Sequence, residues 1–387
     1  MNAVNEKKNA GEWAELYVLL KVLSEGNLYG ADGDLNKLDD NFFPVISIEM
    51  QKTGQPKDKP IPINYVVNRD EGTVDVTSEG VSSTIKMSEL DVEANSFFNI
   101  ISTRKGRSFQ VPEVNPLLKK ILNPITKKSS SNKADIHIVI HDVMTGAENE
   151  VGFSIKSKHS SSATLINPSG QTLFQYRIES RKQNINVDVN DVKNSLAIID
   201  VNNKKVGAKD RIQKLLASGY DLKFTTIKGD TFKENIQLID SSLDIFLAEC
   251  LKVFMSKRIS SLSEIIEIVS GINPCGFSAL NEERLLDFYR YKMKRLVVDS
   301  ALGMLPGTPW SGKYDASGGY IVVKELGEVV CYHLYNWNAL QDYLYKSLKF
   351  DTPSSTSTGS KKSFNYASYY SQNEEHFVDI CLQLRFK

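Results

Sequence analysis

Hydrophobic and polar positions alternate most regularly between Ala134 and Lys156. Ala134, Ile136, Ile138 and Ile140 fall on one face of a strand, which puts Asp135 on the other. After a turn at Thr145-Gly146-Ala147-Glu148-Asn149, residues Val151, Phe153 and Ile155 point one way and Ser154 and Lys156 the other. The pattern predicts a β-hairpin whose polar face brings an aspartate opposite a lysine. A helical pattern opens the chain over Gly11 to Leu23. At about 100° per residue, Leu16, Leu19, Leu20, Val22 and Leu23 form one apolar arc, with Lys21 and Glu25 on the far side. Glu12 and Glu15 fall inside the arc.

Short strands are predicted over Phe42 to Met50, Ile61 to Asn68, Thr73 to Thr77 and Ser83 to Met87, punctuated by Gly, Pro, Asp and Lys. They read as a β-rich insertion. A short helix is predicted over Glu113 to Leu122, followed by a polar joint at Lys127-Lys128-Ser129-Ser130-Ser131. Further helices are predicted over Asp210 to Ser218, Leu243 to Lys257, Ser261 to Val269 and Asn281 to Ala301. In the last, Leu285, Phe288, Tyr289, Lys292 and Leu296 share a helical spacing that fits core with basic flanks. Gly319 to Lys324 and Val329 to Leu334 form a second hairpin around Glu325-Leu326-Gly327-Glu328, and a polar loop runs from Pro353 to Ser363. No internal repeat is present. The expected organisation is an N-terminal helix over 1–30, a β-rich insertion over 31–100 and a core over 101–387 that forms one compact unit.

A chain of 387 residues buries a substantial core. No apolar run reaches membrane length, and Met1 to Asn9 is polar without a secretory core, so a cytoplasmic enzyme is expected. Cys250, Cys275, Cys331 and Cys381 are far apart, and His137, His141, His159, His333 and His376 have no zinc-ligand spacing. Buried thiols in a reducing compartment are the simpler reading. Net charge is zero, with 47 basic and 47 acidic side chains, which argues against indiscriminate coating of nucleic acid. The average hides a division. Residues 31–100 carry 13 acidic against 6 basic side chains, and residues 102–133 carry 8 basic against Glu113 alone. The basic block, with Arg104, Lys105 and Arg107 near its start, leads into the hairpin. Its side chains suit phosphate neutralisation, and a solvated loop with incidental charge is the plainer alternative.

An aspartate and a lysine on the polar face of an apolar hairpin suit phosphodiester hydrolysis. The carboxylate holds a divalent metal, and the ammonium orients or activates water and offsets developing charge. The same pair on an ordinary solvated hairpin contributes little. Glu12 and Glu15 sharpen the choice, because carboxylates in an apolar arc are costly unless a cation or donors meet them. Either they serve the helix dipole at its first turn, or Glu15, one turn deeper, reaches a metal also bound by Asp135.

Several segments in order resemble the HpaII family of type II restriction endonucleases. They are the Gly11-Glu12-Trp13-Ala14-Glu15-Leu16-Tyr17 helix, the Asn132-Lys133-Ala134-Asp135-Ile136 strand with Gly152-Phe153-Ser154-Ile155-Lys156-Ser157, and Ala163 to Gly170. Trp310-Ser311-Gly312, Gly318 to Lys324, Tyr332-His333, Thr352 to Ser355 and Leu382 to Lys387 continue the match. The resemblance implies an α/β restriction-endonuclease-like core, a mixed central sheet flanked by helices, that cuts double-stranded DNA with magnesium. It implies a short site such as CCGG, 5′-phosphate ends and a cognate DNA methyltransferase protecting the host site, and leaves a homodimer open. Carried over, Asp135 matches the first acid, Lys156 the lysine and the Ile155 carbonyl the backbone metal ligand. Ser154 stands where the second acid belongs. A hydroxyl is a poorer magnesium ligand than a carboxylate, so Glu15 is the expected substitute, with Glu12 and Glu150 behind it. The polar loop with Lys361 and Lys362, which the resemblance implies orders on DNA, and Arg177 and Arg181 by their chemistry, complete the DNA-binding candidates. A repair or junction nuclease on the same core, and a DNA-binding module whose site has decayed at Ser154, are the alternatives.

Overall fold

A computed structural model describes residues 7–51, 61–104, 106, 108–124, 134–143, 145–158, 163–182, 186–200, 202–353, 366–367 and 369–387. The chain divides into two compact units, one of Met1–Ala163, Ala301–Gly303 and Tyr314–Tyr343, the other of Thr164–Ser300, Met304–Lys313 and Leu344–Lys387. The first unit begins with α1 (Ala10–Glu25), β1 (Asn27–Ala31), β2 (Lys37–Gln51), β3 (Pro62–Asn68), β4 (Thr73–Ser78) and β5 (Val81–Lys86). It continues through α2 (Met87–Thr103), α3 (Asn115–Lys120), β6 (Ile136–His141) and β7 (Glu148–Ser157). The second unit then takes β8 (Thr164–Ile166), β9 (Leu173–Ser180), α4 (Val189–Ser195), α5 (Ala208–Ala217) and β10 (Tyr220–Ile227). It adds α6 (Asp230–Ile239), α7 (Leu243–Ser256), α8 (Leu262–Ile272) and α9 (Glu282–Leu302). The chain returns to the first unit for β11 (Gly319–Val323) and β12 (Val329–His333). It crosses back along α10 (Trp337–Ser347) to β13 (Leu348–Phe350), β14 (Tyr369–Gln372), β15 (Glu375–Cys381) and β16 (Leu384–Phe386).

The first unit is built on a nine-stranded mixed sheet of order β1-β12-β11-β7-β6-β2-β3-β4-β5. β7 runs parallel to β11 and β1 to β12, and the other neighbours are antiparallel. Helix α1 starts at a capping box in which the Asn9 carboxamide accepts from Glu12 N–H at 3.0 Å and Glu12 Oε2 accepts from Asn9 N–H at 2.8 Å. Gly26 ends the helix in the left-handed region, its N–H bonded to the Val22 carbonyl. Trp13, Leu16, Val18, Leu19, Leu20 and Leu23 are buried with Ile136, Ile138 and Phe153 of the sheet and Leu90, Ala94 and Phe97 of α2 in one core. Each such aliphatic side chain contributes about 1.5–3 kcal/mol by leaving water.

Three expectations are corrected here. Residues 31–100 do not stand apart as an insertion, because β2 pairs with β6 at Ile48↔Ile138 and carries β3, β4 and β5 into the same sheet. The inward Val45, Ile48 and Met50 of β2 extend the apolar layer begun by Ile136, Ile138 and Ile140. That region also holds a helix. Met87, expected to end a strand, is the first residue of α2, whose Leu90, Ala94, Phe97 and Phe98 lie on one helical face. The single unit expected over 101–387 is divided as well, since Thr164–Ser300 belongs to the second unit. The expected joint at 127–131 and nearly all of the loop from 353 to 363 lie outside the described residues.

The second unit has a four-stranded sheet, β10-β9-β15-β14, and a three-stranded one, β13-β16-β8. Its helices α5, α7 and α9 fall within a residue or two of their predicted bounds, and α8 runs three residues past its predicted end at Val269. In α9, Tyr289 and Leu296 are buried as expected, while Lys292, also buried, donates to Asp240 at 2.5 Å and to Ser242 Oγ at 2.8 Å.

Candidate active site

The predicted hairpin is β6–β7, with Ile136 opposite Phe153 and Ile138 opposite Val151. Its turn is tied by Asp142, whose N–H donates to the Ala147 carbonyl at 2.9 Å and whose carboxylate accepts from the Thr145 hydroxyl at 2.6 Å. At the other end Gly152 lets the chains close up, since a Cβ there would lie 2.8 Å from both the Ala134 Cβ and the Asp315 carbonyl oxygen. Asp135 N–H donates to the Phe153 carbonyl at 2.7 Å, so the backbone polar groups of Phe153, and by alternation of Ile155, face the β6 edge. The β6 ladder ends at Ile136. Asp135 takes over beyond it: its Oδ2 accepts the Ile155 N–H at 2.6 Å and the Ser154 hydroxyl at 3.2 Å. The Ile155 carbonyl leaves the strand on that same edge. Among the described residues no donor reaches Asp135 Oδ1.

Glu15 arrives from α1, which packs on β7. Its Oε2 is buried without a hydrogen-bond partner, although the residue as a whole keeps some solvent contact. Burial first, then the charges of Asp135 and Glu12, push its carboxyl up to about 9, against the opposing pull of Lys156 and Lys8. The acids of the helix therefore divide their work. Glu12 closes the capping box and meets the N-terminal reading, while Glu15 is the one turned toward the hairpin. Glu150, the other reserve acid, lies toward the turn and is mostly exposed, with His137 Nδ1 at 3.4 Å.

Lys156 is half-buried and closes no ion pair among the described residues. Its Nζ lies 5.7 Å from the centre of the Tyr320 ring. Tyr320 is brought there by the parallel ladder of β7 and β11, in which Ser154 faces Tyr320 and Lys156 faces Val322. Burial raises its phenol above the ordinary range. The preceding Gly319 has φ 111°, and a Cβ there would come within 1.9 Å of the Tyr332 carbonyl oxygen. Sequence reasoning had no role for Tyr320, because no local pattern announces which distant strand will lie parallel to β7.

Asp135, Glu15 and the Ile155 carbonyl form a set of hard oxygen donors, the kind magnesium takes. An unpartnered buried carboxylate oxygen, on a group whose ionisation is opposed by a second carboxylate, is a local shortage of positive charge that a divalent cation relieves. The residues fit the ion. No set of three His, Cys, Asp or Glu converges among the described residues.

The other predicted site residues are dispersed. Arg104 pairs with Glu113 at 2.7 Å, both half-exposed, while Lys105, Arg107, Lys361 and Lys362 lie outside the described residues. Arg177 is held by Glu179 at 2.7 Å and Glu375 at 2.6 Å, so its guanidinium is already engaged. Cys250, Cys331 and Cys381 are buried and no disulfide links them. No helix among the described residues is long and apolar enough to cross a membrane.

A mixed α/β chain with two acids and a lysine at the open end of one hairpin is matched along nearly its whole length by a single enzyme class. Residues 9–386 match the HpaII restriction endonuclease family, and the chain belongs to that family of type II restriction endonucleases. It is 35% identical over 379 residues to the Type II restriction enzyme HpaII of Haemophilus parainfluenzae, with 98% of each chain covered. No solved structure gives a significant match.

Proposed function

We propose that the protein cleaves double-stranded DNA at a short specific site by metal-assisted hydrolysis of a phosphodiester, leaving 5′-phosphate ends, on a restriction-endonuclease-like core. The observation that carries this reading is Asp135, held by the Ile155 N–H where β6 stops and β7 continues, within electrostatic reach of the buried Glu15. Asp135 is held for the task by the Ile155 N–H and the Ser154 hydroxyl, both on Oδ2, which leaves Oδ1 for a metal. Glu15 supplies the anionic oxygen that Ser154 cannot. Magnesium held by Asp135, Glu15 and the Ile155 carbonyl supplies Lewis-acid stabilisation of phosphoryl charge and a more acidic water. Lys156 contributes a fixed positive charge and hydrogen-bond donors for the attacking water and the developing phosphoryl charge.

CCGG, the short site that the family resemblance implies, is the first to test, with a methyltransferase protecting that sequence in the host and a second copy of the chain as the natural partner on a palindrome. The basic block at Arg104, Lys105 and Arg107, and Lys361 and Lys362, serve phosphate contacts in this reading. Digestion of plasmid with magnesium, followed by mapping of the cut ends, tests it. Discrete fragments ending in 5′-phosphate within one short sequence are expected. Nicking that follows DNA structure rather than sequence would point to a repair enzyme, and binding without cutting to a decayed site.

A further inference from the structure

Between α9 and β11 the chain forms neither helix nor strand over residues 303–318. The part that belongs to the second unit, Met304–Lys313, is nevertheless fixed in shape by one side chain. Asn235 of α6, 3% exposed, donates from its carboxamide nitrogen to the carbonyls of Leu305 at 3.0 Å and Thr308 at 2.9 Å, and its carboxamide oxygen accepts the Trp310 N–H at 2.9 Å. Only a carboxamide does this, because the two carbonyls need donors and the N–H needs an acceptor. The Trp310 indole donates to the Lys313 carbonyl at 2.7 Å, Pro306 and Pro309 restrict their own φ, and Gly312 turns the chain at φ 83°. Thr308, Ser311, Gly312 and Lys313 are exposed. Lys313 is the one charged side chain of the segment, and it closes no ion pair among the described residues.

We propose that this segment is a preformed contact for the DNA backbone: Lys313 neutralises a phosphate of the duplex bound for cleavage, and Asn235 is the positioning residue that keeps the loop in its binding shape. The contact rests on the DNA-binding part of the cleavage reading and acts on affinity rather than on the chemical step. Ordering an exposed loop costs backbone entropy that a mere connection has no reason to give up. A loop already in shape loses less of it on binding. An ammonium beside the exposed Thr308 and Ser311, with no acid in the segment, matches the chemistry of phosphates. Chain position points the same way. The Asp315 carbonyl oxygen lies against Gly152, where a Cβ would come within 2.8 Å of it, and Gly318 N–H donates to the Gly152 carbonyl at 2.7 Å. Gly152 belongs to the hairpin of Asp135 and Lys156, and peptide geometry keeps the Cα of Lys313 within about 7 Å of that of Asp315 however the two units are disposed.

Fluorescence anisotropy of the metal-free, full-length protein across a series of salt concentrations tests the side chain, with a CCGG duplex and an unrelated one. Lys313→Ala should weaken binding to both by the same factor and make the slope of log affinity against log salt shallower by about 0.9, the counterion release of one phosphate. Lys313→Arg should restore it. The fold uses only the backbone carbonyl of this residue, so the change leaves the loop itself intact. An unchanged slope, or a loss confined to one of the two sequences, would overturn the proposal whatever happens at Asn235. Limited trypsin digestion at the Lys313–Tyr314 bond tests the positioning. Duplex should slow this cut in the wild type, and Asn235→Ala should be cut faster and bind both duplexes more weakly. Cutting that duplex does not slow, or wild-type affinity in an Asn235→Ala protein whose loop is cut faster, would also count against it. Neither assay needs metal or turnover, so a wild type that binds duplex but never cuts would bring down the cleavage reading alone, and one that binds no duplex would bring down both.

Discussion

Replacing Glu15 by Gln should make the metal-free protein more stable, by an amount that grows with pH. Glu15 is pushed from 4.5 up to about 9, by burial first and by Asp135 next. Because the folded-state pKa is raised, the contribution of this group is intact below pH 4.5 and is lost as pH rises toward about 9. Each pH unit in that window costs ~1.4 kcal/mol, so the loss reaches ~3 kcal/mol at neutral pH and ~6 kcal/mol at its upper end, both ceilings for a group that keeps some solvent contact. Gln has nearly the same shape and no proton to lose, so its advantage should be near zero at low pH and widen steadily above it. Denaturant melts of both proteins in chelator, at about pH 5, about pH 7 and about pH 8.5, measure the difference directly. Adding magnesium should then raise the stability of the wild type far more than that of Glu15→Gln, because ligand bound to the native state stabilises it. Parallel pH profiles for the two proteins, or equal gains from magnesium, would refute both the burial argument and the choice of Glu15 as ligand.

The remaining expectations concern the hairpin, the basic block and one histidine. Asp135→Ala and Lys156→Ala should each abolish cleavage in a plasmid digest while retaining duplex binding by anisotropy, since phosphate contacts elsewhere carry affinity. A folded variant of either that cuts normally would make the hairpin structural. Arg104→Ala alone should change stability by less than ~1 kcal/mol, because its half-exposed pair with Glu113 is of the weak kind. The triple change of Arg104, Lys105 and Arg107 to Ala should weaken binding to all sequences alike and flatten the salt dependence of affinity, and an unchanged slope would leave these side chains to solvent. His333, buried against Phe43 and Phe153, is lowered by burial from 6.5 to about 4. Its contribution is present above pH 6.5 and lost as pH falls through about 4, so acid melts should show ~3 kcal/mol of destabilisation that His333→Asn, an isosteric acceptor for the Tyr335 N–H, removes.

What could be read from the chain alone follows the range of the interactions involved. The β6–β7 hairpin is local, its alternation strict and its turn short, so Asp135, Ser154 and Lys156 were placeable from the pattern. Glu15 was visible as a charge in an apolar arc, a contradiction that only burial or a partner resolves. Helix α2 was equally legible in the spacing of Leu90, Ala94, Phe97 and Phe98, but the run of short strands before it invited one label for the whole stretch. The sheet membership of β2 was not legible, because pairing with β6 depends on which of several alternating segments shares its register. The parallel β7–β11 pairing was further out of reach. β11 and β12 are buried along their whole length and so lose the alternation that marks a half-exposed strand.

The missing acid at position 154 follows from that same geometry. β7 is covered on one edge by β6 and on the other by β11, and position 154 is 1% exposed. A carboxylate there would be drier than Glu15, whose own carboxyl already reaches about 9 with Asp135 as its neighbour. Two acids adjacent to Asp135 would raise one another further, and a site that must be emptied of protons before it binds a cation would bind it less well near neutrality. In the proposed site the second charge sits on the helix, which keeps one carboxylate on each element. Transplanting the acid back, as Ser154→Glu with Glu15→Gln, restores the ordinary motif on paper. It should still cut poorly, because it trades a partly solvated carboxylate for a dry one opposite a tyrosine with no room to move. If that double variant matched the wild type in rate and magnesium dependence, the site would be indifferent to which element carries the acid, and burial would not be the reason for the exchange.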